Sequence, residues 1–282
     1  MAEIEGLAFV PAGQISLAIA GRGSATLEVP NALLVDMYES TRGEWRAFRR
    51  ARAALVASEL SELVDGWDDA SADWPASGMN QIEAAEFARW RGMRLPTAGE
   101  WLYFASGPQR FAFPWGSTDQ RSIANTLELG LDRPAAVGTF EAGRSPQQIY
   151  DLLGNVAEWT ADAAPSRDVL PGDTRVSAMG GSFRNRSRPI VDERQVEGQN
   201  EVHARTLARE SRADDIGVRC CVDASSYLGE RLLALRPDAA ARARLVAVGR
   251  RWGRRALPVL EGLAARPGAP SALMALLEGA RR

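Results

Sequence analysis

Lysine is absent from this sequence of 282 residues, and histidine and cysteine are nearly absent. All 34 basic residues are arginines, which we attribute to a high-GC coding bias and not to function. The single histidine, His203, excludes a multi-histidine iron or copper site. Because Cys220 and Cys221 are the only thiols, a Cys/His zinc site and a disulfide framework are excluded as well.

The two cysteines are adjacent, at positions 220 and 221, in a segment with the pattern of a closing β-strand. Neighbouring residues of a strand point to opposite faces. We therefore expect one thiol in the core and the other at the surface, which is a simpler interpretation than a redox pair.

Long apolar runs are missing too. No stretch approaches the ~20 apolar residues of a membrane span, and the first ten residues carry acidic side chains where a signal peptide carries basic ones. We expect a cytoplasmic protein that has no membrane partner. A content of 45% hydrophobic and 25% charged residues is typical of soluble globular chains, so disorder is not the default.

Charge divides the chain into two predicted domains, 1–222 and 223–282. The second carries 11 arginines against five acidic residues, a net charge of +6, which leaves −8 for the first. A basic tail raises the question of nucleic acid. Its arginines alternate with leucine and alanine at helical spacing, however, so a solvated helix face is the better interpretation and a nucleic-acid partner is not expected.

Three short patterns predict helix starts in the first domain. Thr41–Glu44, Asn80–Glu83 and Thr97–Glu100 each place a capping side chain three residues before a glutamate, which is the spacing of a capping box. Beyond Gly107, glycine, proline and aromatic residues predict long irregular loops. The tail predicts a bundle of short helices separated by prolines, preceded by a closing strand over 216–222.

The segment Tyr150–Trp159 is the most unusual part of the sequence. Gly154 permits positive φ, and Asn155 tolerates the left-handed region, so a tight turn is expected here. Asn155 and Glu158 offer the hard oxygen ligands that calcium prefers. The alternative is a buried turn in which the same side chains bond only to the protein.

An ordered set of motifs resembles the formylglycine-generating enzyme family, also called the sulfatase-modifying factor domain, over about residues 7–222. In chain order the motifs are Phe9-Val10-Pro11-Ala12-Gly13, Glu39-Ser40-Thr41, Arg94-Leu95-Pro96-Thr97 with Glu100-Trp101, Pro114-Trp115-Gly116, Asn125, Gly154-Asn155-Val156 with Glu158-Trp159, Gly180-Gly181-Ser182-Phe183, and Gly217-Val218-Arg219. Each is weak alone, but eight in one order make a chance match implausible.

The resemblance implies an α+β domain of the C-type lectin fold with many loops, followed here by a small C-terminal α-helical extension. It also implies structural calcium, with Asn155 and Glu158 at one site and Asn125 at another. The acidic partner expected for the second site does not align cleanly, although Glu128 and Asp132 lie nearby in the sequence.

The enzymes of this family use two copper-binding cysteines, three and eight residues after the serine of the Gly-Gly-Ser motif. Here Ser182 is present, but the two positions hold Asn185 and Ile190. Neither side chain supplies the soft sulfur ligand that Cu(I) prefers. The resemblance therefore predicts a protein without copper and without the cysteine-based reaction.

Our leading hypothesis is a noncatalytic scaffold that binds a protein or a small molecule through the loop 183–213. Rigid scaffolds commonly present binding residues on such loops. The candidate ligand-binding residues are Ser182, Arg184, Asn185, Arg186, Arg188 and His203. The helical tail either recruits another protein or only covers apolar surface.

Two alternatives stay open. One is an enzyme of different chemistry that uses Ser182 and the loop arginines in the same cleft. The other is a variable ligand-binding protein of a diversity-generating retroelement, a group that uses this fold for display; the roughly sixty residues after the closing strand argue against it. Calcium-dependent sugar binding ranks lower, because the Glu-Pro-Asn, Gln-Pro-Asp and Trp-Asn-Asp motifs are absent.

Overall fold

The computed structural model describes residues 2–19, 23–53, 71–163, 172, 174–190, 204–233 and 235–282. Helices and short strands alternate with long irregular segments, so the predicted α+β class is confirmed. The chain folds into two compact units. One contains Met1–Gly13, Val29–Met37 and Cys221–Arg282, and the other contains Gln14–Glu28 and Tyr38–Cys220.

The first unit, which we call the terminal unit, combines a small sheet with helices. Its sheet has the order β1 (Leu7–Val10), β4 (Leu33–Asp36) and β9 (Cys221–Asp223), with both pairings antiparallel. Its helices are α1 (Ala2–Glu5), α5 (Ala224–Arg231), α6 (Ala239–Trp252), α7 (Leu257–Ala264) and α8 (Ser271–Arg281).

The tail helices are packed onto the sheet of the terminal unit by polar as well as apolar contacts. The indole nitrogen of Trp252 donates to the Leu7 carbonyl at 2.9 Å, and Arg251 Nη2 donates to the same carbonyl at 3.0 Å. Trp252 is almost wholly buried beside Phe9. The helices predicted for the tail are thus present, while the predicted boundary between residues 222 and 223 stays a prediction.

The second unit, which we call the central unit, holds most of the loops. Its elements are β2 (Gly13–Ile19), β3 (Gly23–Val29), α2 (Arg42–Ala53), α3 (Gln81–Trp90), α4 (Ala98–Ser106), β5 (Ala157–Trp159), β6 (Val176–Met179), β7 (Ala204–Leu207) and β8 (Ile216–Gly217). Strands β2 and β3 form a two-stranded sheet, and a four-stranded sheet has the order β7-β6-β5-β8. In the larger sheet only β5 and β8 run parallel.

The helix starts in the central unit follow the capping patterns of the sequence. Helices α3 and α4 both begin with complete capping boxes, at Asn80–Glu83 and Thr97–Glu100. The Thr41 amide donates to Glu44 Oε2 at 2.8 Å at the start of α2. The sequence also predicts that this helix ends near Val64, but that end lies outside the described residues.

The predicted closing strand and the predicted thiol arrangement are both wrong in detail. Residues 216–222 form two short strands, β8 and β9, that belong to different sheets. Arg219, between them, is wholly buried. Cys220 and Cys221 are also both buried. The expected alternation of faces fails because only Cys221 lies in a strand, so it does not extend to Cys220.

No helix among the described residues is long and apolar enough to cross a bilayer.

Candidate functional site: a buried ionic cluster and an arginine cleft

The turn at Gly154 and Asn155 has the backbone geometry that the sequence predicts. Gly154 has a φ of 83° and Asn155 a φ of 57°. A Cβ atom on Gly154 would lie 2.3 Å from the carbonyl oxygen of Asn125, so the turn needs glycine for space as well as for conformation. This turn carries the chain directly into β5 and positions Glu158 in the interior.

Glu158 forms a fully buried ion pair with Arg219. The guanidinium donates from Nη2 to Glu158 Oε1 at 2.6 Å and from Nε to both carboxylate oxygens at 3.0 Å. The indole of Trp101 donates to Glu158 Oε2 at 2.7 Å. Arg219 also donates to the Tyr150 carbonyl at 2.7 Å. Such a multiply bonded pair compensates the desolvation of both charges.

Two further buried carboxyl groups complete what we call the ionic cluster, namely Glu39, Asp151, Glu158 and Arg219. Burial, followed by repulsion from Asp151 and Glu158, raises the pKa of Glu39 well above its usual value. Burial raises the pKa of Asp151 to about 6, although the Gly138 N–H donates to it at 2.9 Å. One arginine thus faces three carboxyl groups, so the cluster favours a protonated carboxyl group over a third negative charge.

The side chains predicted to bind calcium already form hydrogen bonds within the protein. Asn155 Oδ1 accepts from Asn125 Nδ2 at 3.0 Å and from the Ala135 N–H at 2.8 Å, and Asn155 Nδ2 donates to Glu39 at 2.6 Å. Glu158 faces Arg219 with both oxygens. Of the polar atoms of these three side chains, Asn125 Oδ1 is the one that is buried without a hydrogen-bond partner among the described residues. In this arrangement the three side chains do not fit a calcium site, and calcium binding stays a prediction.

The Gly-Gly-Ser motif leads into a second polar network. Ser182 is fully buried and its hydroxyl donates to Asp215 Oδ2 at 2.7 Å. Arg205 Nη2 donates to the other oxygen of Asp215 at 2.8 Å. Asn185 Oδ1 accepts from the Ser182 amide at 2.8 Å. Ser182 is therefore a structural anchor for its loop in this conformation.

The two positions at which the resemblance implies cysteine have different surroundings. Asn185 is exposed, and its amide N–H donates to the Ser182 carbonyl at 2.9 Å. Ile190 is fully buried, and its N–H donates to the Ala112 carbonyl at 2.6 Å. Neither side chain offers a nucleophile or a soft metal ligand.

A cleft of about 630 Å³ in the central unit borders this loop. We call it the arginine cleft, because four of its lining residues are arginines. The lining consists of Arg42, Ser77, Gly78, Asp132, Arg133, Pro134, Phe183, Arg184, Arg212, Ala213 and Asp214. Its size is within the usual range of ligand sites.

Two of the four arginines are already paired. Arg184 Nη2 donates to Asp214 Oδ2 at 2.8 Å, and the Arg184 guanidinium lies 4.8 Å from the centre of the Phe183 ring. Arg212 Nη2 donates to Glu83 Oε1 at 2.8 Å. Both contacts are bidentate, so these arginines shape the cleft and hold its walls.

The other two arginines lie over one aromatic ring. The guanidinium carbons of Arg42 and Arg133 are 5.2 Å and 5.3 Å from the centre of the half-buried Trp74 ring. Arg42 also donates to Ser71 Oγ at 2.8 Å. Within the described ranges no carboxylate pairs with Arg133, which is exposed and held only by this cation–π contact.

A family model described as the sulfatase-modifying factor enzyme 1-like domain matches residues 2–224. The chain belongs to this family. The central sheet, the loops and the Gly-Gly-Ser network described above are therefore those of a sulfatase-modifying-factor domain, and its fold is the C-type lectin variant that the motifs imply.

The curated relatives of this domain include one protein named as an oxygenase and one named as an inactive enzyme. Hercynine oxygenase of Mycobacterium tuberculosis is 37% identical over 169 residues, which is 49% of this chain and 39% of that protein. Inactive C-alpha-formylglycine-generating enzyme 2 of Bos taurus is 29% identical over 173 residues, 56% of this chain and 53% of that protein. The chain thus spans about half or less of the length of these relatives.

Among solved structures, Treponema denticola variable protein 1 superposes with a TM-score of 0.58 at 15% identity. The match covers 77% of this chain and 94% of the other. At this identity the likeness concerns the fold alone.

The candidate residues from sequence are distributed unevenly around the arginine cleft. Arg184 lines it, while Ser182 is buried and the exposed residues Asn185, Arg186 and Arg188 are not in the lining. His203 lies outside the described residues. Sequence reasoning missed Arg42, Trp74 and Arg133, which come from distant segments. It did not name Arg212 either, although this residue lies within the predicted binding loop 183–213. The family motifs contain Glu39 and Arg219, but sequence reasoning gave them no role.

Proposed function

We propose that this domain is a noncatalytic sulfatase-modifying-factor protein that binds an acidic peptide segment in the arginine cleft. The observation that carries the proposal is the combination of two features on one loop. The cysteine positions hold Asn185 and Ile190, and the same loop supplies Phe183 and Arg184 to a cleft with a surplus of positive charge.

The charge of the cleft favours an anionic ligand. Four arginines line it against two aspartates, Asp132 and Asp214. Arg184 is neutralised by Asp214, and Arg212 by Glu83 from outside the lining. The Arg133 guanidinium keeps its donors available beside Trp74, in the planar fork that suits a carboxylate.

The walls of the cleft suit a peptide more than a compact ion. Apolar and backbone surface is provided by Phe183, Ala213, Pro134 and Gly78, next to the charged side chains. Trp74 and the arginines stacked on it add a flat amphipathic surface beside the cleft. The resemblance to formylglycine-generating enzymes supports a peptide as well, because those enzymes act on a cysteine within a protein substrate.

The test is a fluorescence anisotropy titration with a labelled peptide of alternating glutamate and glycine. Its control peptide has glutamine in place of each glutamate. We expect saturable binding of the glutamate peptide and at least about tenfold weaker binding of the glutamine peptide. Equal binding of the two peptides would remove the electrostatic basis of the proposal.

The matched variants are Arg133→Gln in the cleft and Arg188→Gln outside it. Arg133→Gln should weaken binding of the glutamate peptide about fivefold, a free-energy change of ~1 kcal/mol. Arg188→Gln removes an exposed arginine of the same loop and should change affinity less than twofold. If the two variants behave alike, the site lies along the loop and not in the cleft.

A small molecule is the other outcome of this titration. Glutamate or succinate added as a competitor should not displace the peptide at concentrations near the peptide's dissociation constant. Full displacement by either compound would assign the cleft to a small carboxylate ligand and overturn the peptide assignment.

A further inference from the structure

The terminal unit contains a cavity of its own, with a volume of about 540 Å³. We call it the terminal cavity. Its lining residues are Phe9, Pro11, Ala12, Pro30, Asn31, Ala32, Asp223, Ser225, Ser226, Arg255, Pro258, Val259, Gly262, Leu263 and Arg266. The volume lies within the range of sites that enclose small organic ligands.

Arg255 is the unusual residue of this cavity. It belongs to the 3-10 turn Gly253–Ala256 and is half-buried. Its Nε is fully buried and has no hydrogen-bond partner among the described residues. Nη2 makes one long contact, 3.4 Å to the Arg251 carbonyl.

Burial lowers the pKa of Arg255, and no carboxylate of the described residues opposes this effect. A guanidinium taken partly out of water normally gains an anionic partner, which restores the lost solvation free energy. The part of the chain that the structure describes supplies none to Arg255. The geometry thus leaves a partly desolvated cation in the lining of an accessible cavity.

The rest of the lining separates a polar end from an apolar wall. Arg266 adds a second, exposed cation, and Ser225 and Ser226 add hydroxyl groups. The carboxylate Asp223 accepts a hydrogen bond from Asn31 Nδ2 at 3.2 Å. Prolines and aliphatic or aromatic side chains supply the apolar surface, at Phe9, Pro11, Pro30, Pro258, Val259 and Leu263.

We propose that the terminal cavity binds a small organic anion, whose carboxylate or phosphate group contacts Arg255 and Arg266 and whose short apolar body lies against Leu263 and Phe9. A planar guanidinium donates to either type of head group. The apolar wall contributes in proportion to the area that it shields from water. This site is independent of the arginine cleft, because no lining residue is shared.

The test uses the whole chain and three probes that each contain six carbon atoms: hexanoate, hexyl phosphate and hexanol. Isothermal titration calorimetry should show saturable binding of at least one anion in the millimolar range or tighter, with hexanol at least about tenfold weaker. A preference between hexanoate and hexyl phosphate identifies the head group.

Three variants test whether the anion binds at Arg255. Arg255→Gln should lose about tenfold or more in affinity for the preferred anion. The neighbouring Arg254→Gln, an exposed residue outside the lining, should change affinity less than twofold. Arg255→Lys keeps the positive charge and should retain part of the binding, which separates loss of charge from loss of folding.

Several results would overturn this proposal. They are no saturable binding of either anion, equal binding of hexanol and the anions, or equal losses in Arg254→Gln and Arg255→Gln. Arg133→Gln in the arginine cleft should leave hexanoate and hexyl phosphate binding unchanged. If that variant removes anion binding, the probes bind in the cleft, and the terminal cavity is not the site.

Discussion

Arginine has opposite surroundings in two regions of the central unit. In the ionic cluster, Arg219 is wholly buried and bonded to Glu158, with Glu39 and Asp151 close by, so negative charge is in excess. In the arginine cleft, four arginines face two aspartates, and Trp74 is the one side chain of the described residues that holds the Arg133 guanidinium. The first region uses arginine to fix the fold, and the second leaves arginine available to a ligand.

This contrast separates residues whose loss should unfold the domain from residues whose loss should change only binding. A buried charge that loses its partner is costly, whereas an exposed arginine contributes little to stability. The two regions can therefore be distinguished by measuring stability and affinity on the same variants.

The largest expected effect is that of Arg219→Met. It leaves three buried carboxyl groups without their cation, and we expect the free energy of unfolding to fall by about 3–5 kcal/mol. Chemical denaturation followed by circular dichroism measures this loss. Arg188→Met, at an exposed position, is the control and should change stability by less than about 0.5 kcal/mol. Equal stability of both variants would mean that the cluster does not hold the fold.

The second effect concerns the turn that enters the cluster. Gly154→Ala combines an unfavourable positive φ with a contact of 2.3 Å to the Asn125 carbonyl, and should destabilise by more than about 2 kcal/mol. Gly130→Ala has a φ of 71° but nothing within 4 Å of the added Cβ. It should cost only about 1 kcal/mol, which is the conformational part. Matching losses would show that the turn relaxes around the new methyl group.

The third effect is a pH dependence. Because the folded pKa of Asp151 is about 6, above the usual value of 3.8, the folded state binds the proton more tightly than the unfolded state. The stability contributed by this group is complete below about pH 4 and is lost as pH rises through about 6. Asp151→Asn removes the loss, which amounts to about 2–3 kcal/mol at pH 8.

This prediction is measured as the difference in melting temperature between Asp151→Asn and the wild type at several pH values. The melting temperature of the variant should rise relative to that of the wild type as the pH increases from about 4.5 to about 7. Glu39, whose pKa is raised for the same reason, should keep part of the dependence in both proteins. Asp132→Asn is the matched control, since Asp132 also has positive φ but is exposed. A pH-independent difference for Asp151→Asn would contradict the raised pKa.

The smallest effect is expected in the cleft. Arg133→Gln should alter the free energy of unfolding by less than about 0.5 kcal/mol, while it weakens binding of the glutamate peptide. Binding of that peptide should also fall as salt is raised, because exposed charges are screened. A salt-independent affinity would indicate an apolar contact and would count against the role of the arginines.

Local features were predictable from the sequence because their causes are local. The capping boxes at Asn80 and Thr97 and the positive φ of Gly154 follow from residues within a few positions of each other. The family motifs extended this to the fold, since their order identifies the domain even where regular structure is sparse.

The two charged regions were not predictable in the same way, because their members are distant in sequence. Glu158 meets Arg219, and Trp74 meets Arg133, only after the loops are folded. Asn155 and Glu158 offered the oxygen atoms that calcium prefers, but the sequence does not show that hydrogen-bond donors already surround both. Whether such side chains bind a metal ion or bond to the protein depends on the groups that surround them in the fold, and not on residue type alone.

Oxygen uptake is the measurement that tests the noncatalytic assignment most directly. Purified protein is supplied with copper and a cysteine-containing peptide of the sulfatase motif in an oxygen electrode. Because Asn185 and Ile190 provide no thiolate, we expect uptake no faster than in the protein-free copper control. Saturable, peptide-dependent uptake that is lost in Asn185→Ala would contradict the assignment and show that this loop is catalytic.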